Sequence, residues 1–234
     1  MKESTPNFPF RNGDLIAESK YGNVYGYQDS DMVVKQWKER KRVPFVSSQD
    51  ALERIAMLKN DLLQVRLEAD SRGASHDIFT NTDYVLHADP SGAIVYSSVQ
   101  NHIEDAETLS AKKLGVLELP SEALKDLRMI FKMSLENFIK EKRGFDIVGS
   151  SNKKMSMISK VFRVLTPLIS SENIVVDGDQ GVHFVDFEIY RHRGGKPTLK
   201  RKIYMGMEAF GTAISIGAID AVLFARNIKG KING

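Results

Sequence analysis

Short β-like runs open the chain. Val24-Tyr25-Gly26-Tyr27 and Met32-Val33-Val34-Lys35 are joined by Gln28-Asp29-Ser30-Asp31, a segment with turn chemistry. A basic loop follows (Lys38, Arg40, Lys41, Arg42), closed by Pro44. The period then becomes helical. Leu52, Ile55, Leu58, Leu62, Val65 and Ala69 recur at helix spacing, with Ser47 or Ser48 as cap and Asp50 in the first turn, and the pattern runs to about Ser71. Tyr84-Val85-Leu86 and Ala93-Ile94-Val95-Tyr96 flank Asp89-Pro90-Ser91-Gly92, which predicts a hairpin.

Beyond Asn101 helical periodicity dominates. Ser121, after Pro120, can cap a helix carrying Leu124, Leu127, Ile130, Phe131, Leu135, Phe138 and Ile139 on one side. Lys140, Lys142, Arg143 and Gly144 suit its end. Another helix is predicted over about Met155–Leu165. Asn173-Ile174-Val175-Val176 and Val182-His183-Phe184-Val185 bracket Asp177-Gly178-Asp179-Gln180-Gly181 as a tight hairpin. The C-terminal segment reads as apolar helix. This order predicts an α+β protein with a β-rich N-lobe over residues 1–100 and a mostly helical C-lobe over 101–234.

Composition narrows the class. A chain of 234 residues, 42% apolar and 27% charged, can bury one sizeable core or two small lobes, and is too apolar to be disordered. The absence of cysteine excludes disulfides, thiolate metal sites and a cysteine nucleophile. A net charge of +3 says less about partners than its distribution does. The opening MKESTPNFPFRNGD has no apolar core of signal-peptide length. Ala209–Ala225, the longest apolar stretch, contains Asp220 and falls short of the ~20 residues of a spanning helix. A buried core helix, a cytoplasmic location and no membrane partner are therefore expected.

Candidate chemistry lies in separate segments. Ala17-Glu18-Ser19-Lys20-Tyr21-Gly22-Asn23-Val24-Tyr25 puts small residues before a strand, which lets backbone approach a phosphate and equally fits a plain turn. Lys35 ends an apolar strand 13 residues after Gly22, where it can enter a cleft or simply leave the core. Asn173 and Asp186 flank the second hairpin, and two hard oxygen donors that converge suit Mg²⁺.

Together these segments resemble the protein-kinase-like superfamily. The first looks like the phosphate-covering loop G-x-G-x-x-G-x-V with only its third glycine kept, at Gly22; Met32-Val33-Val34-Lys35 looks like V-A-I-K. Asn173 and Asp186-Phe187-Glu188 look like the metal-binding pair, with Glu188 in place of glycine. The resemblance implies a two-lobed protein-kinase-like fold with a shortened C-lobe, binding ATP with Mg²⁺. Ala17, Ser19, Gly22, Val24 and Lys35 would surround the nucleotide, and Asn173 and Asp186 would hold metal. A helix carboxylate should position Lys35. Glu68 borders the apolar stripe whereas Glu53 points nearly opposite it, so Glu68 is chosen.

The departures are as informative. Leu168 occupies the position, five residues before Asn173, where the family carries its catalytic aspartate, and leucine cannot deprotonate a hydroxyl. Asp146 could serve as base or merely cap a turn. Asp220 resembles the family's buried aspartate, or is a polar break in the last helix. Only 48 of the 234 residues follow Asp186, which resembles the trimmed kinases among bacterial secreted effectors and small bacterial kinase-like proteins. Delivery into another cell would fit that likeness. Phosphoryl transfer to a protein is the leading reaction; a pseudokinase binding module and adenylyl transfer stay open.

Residues 191–202 hold Arg191, Arg193, Lys196, Lys200, Arg201 and Lys202 with no acid, so an acidic protein partner is one expectation. Tyr190 and Tyr204 are few aromatics for base stacking, and nucleic acid is not expected.

Overall fold

The computed structural model describes residues 15–18, 22–27, 31–37, 47–74, 78–88, 94–141, 145, 147–148, 156–185 and 199–233. The protein is mixed α+β, with antiparallel sheets. Two compact units emerge: Met1–Gln64 with Thr80–Ile103, and Val65–Phe79 with Glu104–Gly149 and Lys153–Gly234.

The first unit holds a five-stranded sheet. Its strands are β1 (Leu15–Glu18), β2 (Gly22–Tyr27), β3 (Met32–Trp37), β4 (Thr82–Ala88) and β5 (Ile94–Asn101), in the spatial order β1-β2-β3-β5-β4. The two predicted hairpins are its β2–β3 and β4–β5 pairs. Val34 and Val99 are register partners and both are buried, so they define one apolar face. The opposite face carries buried polar groups, where Gln100 Nε2 donates to Thr82 Oγ1 at 3.0 Å.

Helix α1 (Ser48–Ser71) starts in the first unit and ends in the second. Ser47 caps it, its Oγ accepting from the Asp50 N–H at 3.1 Å. At the other end Gly73 takes φ +80, Ala74 N–H bonds Ala69 O and Gly73 N–H bonds Asp70 O. That pairing closes the last turn, and the left-handed residue favours glycine. The buried stripe is Ala51, Ile55, Leu58, Leu62, Val65 and Ala69; Leu52, expected on it, is 51% exposed. One residue is a 100° rotation on a helix, which takes Leu52 off the stripe and puts Ala51 on it.

In the second unit β6 (Glu107–Thr108), β7 (Ile174–Val176) and β8 (Val182–Phe184) form a small sheet in that order. Beside it pack α2 (Leu109–Lys112) and α3 (Ser121–Glu141), while α4 (Met157–Leu165) and α3 pack against the last helix, α5 (Leu199–Asn233). The core of this unit centres on Phe79, Phe145 and Phe184, all buried, with ring centroids 5.7–6.1 Å apart in edge-on or tilted geometry. On α3 the buried residues include Leu124, Leu127, Ile130 and Phe131, whereas Ile139, expected with them, is exposed. Ser121 is the first helical residue of α3 and accepts from Arg226, so it is not the cap expected.

The last helix corrects an expectation. It is 35 residues long, its apolar window runs Ile203–Lys231 with mean hydropathy 1.5, and only 22% of that window is buried. It is therefore long and apolar enough to cross a membrane, and it is not a buried core helix. Its inner face is nonetheless docked. Gly211 lies so close to the end of α4 that an added Cβ would stand 2.3 Å from Val164 O. Ser215 Oγ accepts from the Leu168 N–H at 3.3 Å, and Arg226 donates to Leu117 O and Leu119 O. Asp220 accepts from Nε and Nη2 of Arg128 on α3, so it ties two helices together and is not a break.

Candidate functional site

The sheet gathers the nucleotide-side candidates into a row. Ala17 is the register partner of Val24, Val24 of Lys35, and Lys35 of Ser98. Direct partners on neighbouring antiparallel strands stand on the same face. The ladder therefore places three of the sequence candidates side by side over three strands, and Gly22 opens the same β2 strand opposite Trp37. Ser19 and the side chain of Ala17 lie outside the described residues. Lys35 is half-buried. Next to it Ser98 is 3% exposed, and its Oγ has no partner among the described residues. A buried hydroxyl without a partner costs free energy, so a polar ligand group at this face would satisfy it. Nothing in the sequence singled out Ser98; only the β3–β5 register reveals it.

Glu68, the chosen partner of Lys35, sits in the last turns of α1. Its carboxylate accepts from Arg72, four residues on, and the same guanidinium reaches Glu136 of α3 at 2.7 Å. The Arg72 bond is the largest influence holding the Glu136 carboxyl below its usual range, against burial, which raises it. Glu53 is exposed and accepts from Gln49.

The metal-side candidates belong to the β7–β8 hairpin. Asn173 is buried directly before β7, and its carbonyl accepts from the Val185 N–H at 2.8 Å. That bond closes the base of the hairpin and leaves position 186 the next residue along. Asp186 itself lies outside the described residues, as does Asp146, between the buried Phe145 and Ile147. Among the described residues no group of three or more acid or histidine side chains gathers as a metal site.

The approach to Asn173 is pinned by groups that no sequence motif marked out. Ser171 Oγ donates to Ile147 O and accepts from the Ile174 N–H. Glu172 N–H bonds Val148 O at 3.1 Å. Arg163 Nη2, from α4, donates to Val148 O and Ser170 O at 3.1 Å each and stands 3.5 Å from Glu172. Leu168 is buried in the adjoining 3₁₀ turn Pro167–Ile169, so a core contact fills the position where the catalytic aspartate was sought.

The hairpin turn carries one further pair. His183 Nε2 and Asp177 Oδ2 are 2.7 Å apart, and Asp177 Oδ1 accepts from the Gly181 N–H at 2.7 Å. Burial pushes the Asp177 carboxyl up, but hydrogen bonds from His183, Gly181 and Asp179 outweigh it and hold the group below its ordinary value.

No known family model matches this chain, and no curated protein matches it.

Proposed function

We propose that this protein is a two-lobed, kinase-like nucleotide binder that uses ATP with Mg²⁺ and transfers the γ-phosphoryl group to a hydroxyl of a protein substrate. The observation that carries the reading is the cross-strand row Ala17–Val24–Lys35, which stacks the phosphate-side candidates on one sheet face. Lys35 would bind the α- and β-phosphates there, and Ser98 would offer its hydroxyl to the same ligand. Support also comes from the Asn173–Val185 bond, which brings the backbone before Asp186 to Asn173. An amide oxygen and a carboxylate are hard donors of the kind Mg²⁺ takes, with the phosphates completing its shell. Mg²⁺, when bound, would neutralise charge developing on the transferred group. Glu68 would position Lys35 only by sharing a carboxylate already bonded to Arg72.

A second reading has its own observation. Leu168 is buried and bonded through its N–H to Ser215, which leaves that position no proton acceptor. A pseudokinase would need none, and adenylyl transfer on the same scaffold is the other outcome. Incubation with α- and γ-labelled ATP and a lysate separates them. Label from γ alone supports phosphoryl transfer, label from α supports adenylyl transfer, and Mg-ATP binding without label leaves a binding module. Absence of both label and binding overturns the nucleotide reading.

A further inference from the structure

We infer that the outward face of α5 docks the protein onto an anionic phospholipid membrane surface. This goes beyond the nucleotide reading, does not depend on it, and runs against the expectation of no membrane partner. Helix α5 has two faces. Ser215 and Ile219 are buried on the inner one, where Arg226 and Asp220 make the bonds to α3 and the turn before it that are described above. Because those bonds hold the helix along the domain, it does not stand free to span a bilayer. On the other face Ile203, Met207, Phe210, Ile214, Gly217, Ala221, Phe224 and Ile228 follow each other at alternating intervals of four and three residues. That spacing is one stripe, about 38 Å long at the α-helical rise.

This stripe is apolar throughout and open. Phe224 is 67% exposed, Phe210 61% and Ile203 56%. A contiguous apolar strip of this length is more than scattered surface leucines would leave, and marks a docking face. Charge decides between its occupants. Lys200, Arg201 and Lys202 stand in the first turn of α5, and the exposed Lys229 and Lys231 stand in its last turns, so cations bracket the stripe at both ends. A second copy pairing through this face, parallel or antiparallel, would bring cation against cation at each end, which is unfavourable. An anionic bilayer satisfies both features: the headgroups meet the basic ends, and the phenylalanines and isoleucines enter the acyl boundary.

The test uses the full chain and extruded vesicles of phosphatidylcholine, with and without phosphatidylserine, read by sedimentation. Wild type should pellet with the phosphatidylserine vesicles and be released by added salt, because surface attraction is screened. Phe210→Asp with Phe224→Asp should remain in the supernatant at an unchanged circular-dichroism melt, since both side chains are exposed. Lys229→Gln with Lys231→Gln, which leaves the apolar stripe intact, should partition about 30-fold more weakly. Wild type that stays in the supernatant with anionic vesicles overturns the inference. So does a wild-type dimer by light scattering that the phenylalanine substitutions make monomeric, since that assigns the face to a second copy. Neither result bears on ATP binding, which is read separately.

Discussion

The sheet row and the β7–β8 hairpin hold candidate residues by different means. In the sheet, Lys35 owes its place to backbone pairing with Val24 on one side and Ser98 on the other. The ladder would survive loss of the lysine side chain. At the hairpin, the backbone bond from Val185 to Asn173 is supplemented by side chains: Ser171, which bonds two backbone groups, and Arg163, which spans three acceptors. A site set by a ladder can lose its chemistry without losing its fold, whereas one set by side-chain clamps cannot.

The sharpest contrast is in stability. Arg163→Ala removes a mostly buried guanidinium from Val148 O, Ser170 O and Glu172, and leaves Val148 O with the Glu172 N–H alone. We expect it to cost about 3 kcal/mol in urea unfolding, with charge-assisted bonds at ~1.5–3 kcal/mol each and not additive. Gly181→Ala comes next. Its Cβ would stand 2.7 Å from Asp177 Oδ2, so the Asp177 carboxylate must move and its His183 and Gly181 bonds weaken. A loss of about 1–2 kcal/mol in the same assay is expected. If both variants unfold like wild type, side-chain clamps do not set the hairpin.

The acid limb gives a smaller effect with a defined sign. The Asp177 carboxyl titrates below its ordinary 3.8 in the folded protein, so the unfolded chain binds the proton more readily. The resulting stability is present above that ordinary value and is lost as pH falls through the lower folded one. Asp177→Asn should therefore lower the melting temperature above about pH 4 and converge on wild type below it, which flattens part of the acid drop. A variant whose acid limb superimposes on that of wild type would remove the Asp177–His183 pair from the account. Smallest of all, Lys35→Ala should change urea stability by less than about 1 kcal/mol, while abolishing any nucleotide response. Loss of folding in that variant would contradict the view that the ladder alone positions the row.

Much of the fold was legible in the sequence, because local chemistry agreed with it. Ser47 as cap, the β2–β3 pairing and the Asp177–Gly181 turn each depend on residues close in sequence, and each reads directly. Strand β1 was not read, since Leu15-Ile16-Ala17-Glu18 is too short to show a period and is defined by its pairing with β2. The exposure of α5 was hidden for another reason. Apolar residues surround most of that helix, so composition suggests burial on every side, and contacts at Gly211, Ser215, Asp220 and Arg226 fix which face turns inward. At the candidate site the ligand-type residues could be picked out by motif. Ser98 and Arg163 could not, because their roles depend on register and on a contact between α4 and the loops before β7. The last residues of the basic run 191–202, from Leu199, begin α5.

The most direct test of the central claim is the melting temperature of the wild-type chain with and without Mg-ATP, beside Lys35→Ala and Asp186→Asn. A ligand at a hundred times its Kd stabilises the folded state by about 2.7 kcal/mol. For a chain of this size that corresponds to a rise of roughly 5–10 °C. We predict such a rise for wild type, its near-complete loss with EDTA, and its absence in both variants, each of which should still melt cooperatively. A wild-type melting curve unmoved by saturating Mg-ATP, or an equal rise in all three proteins, would contradict the assignment of Lys35 and Asp186 to a nucleotide site.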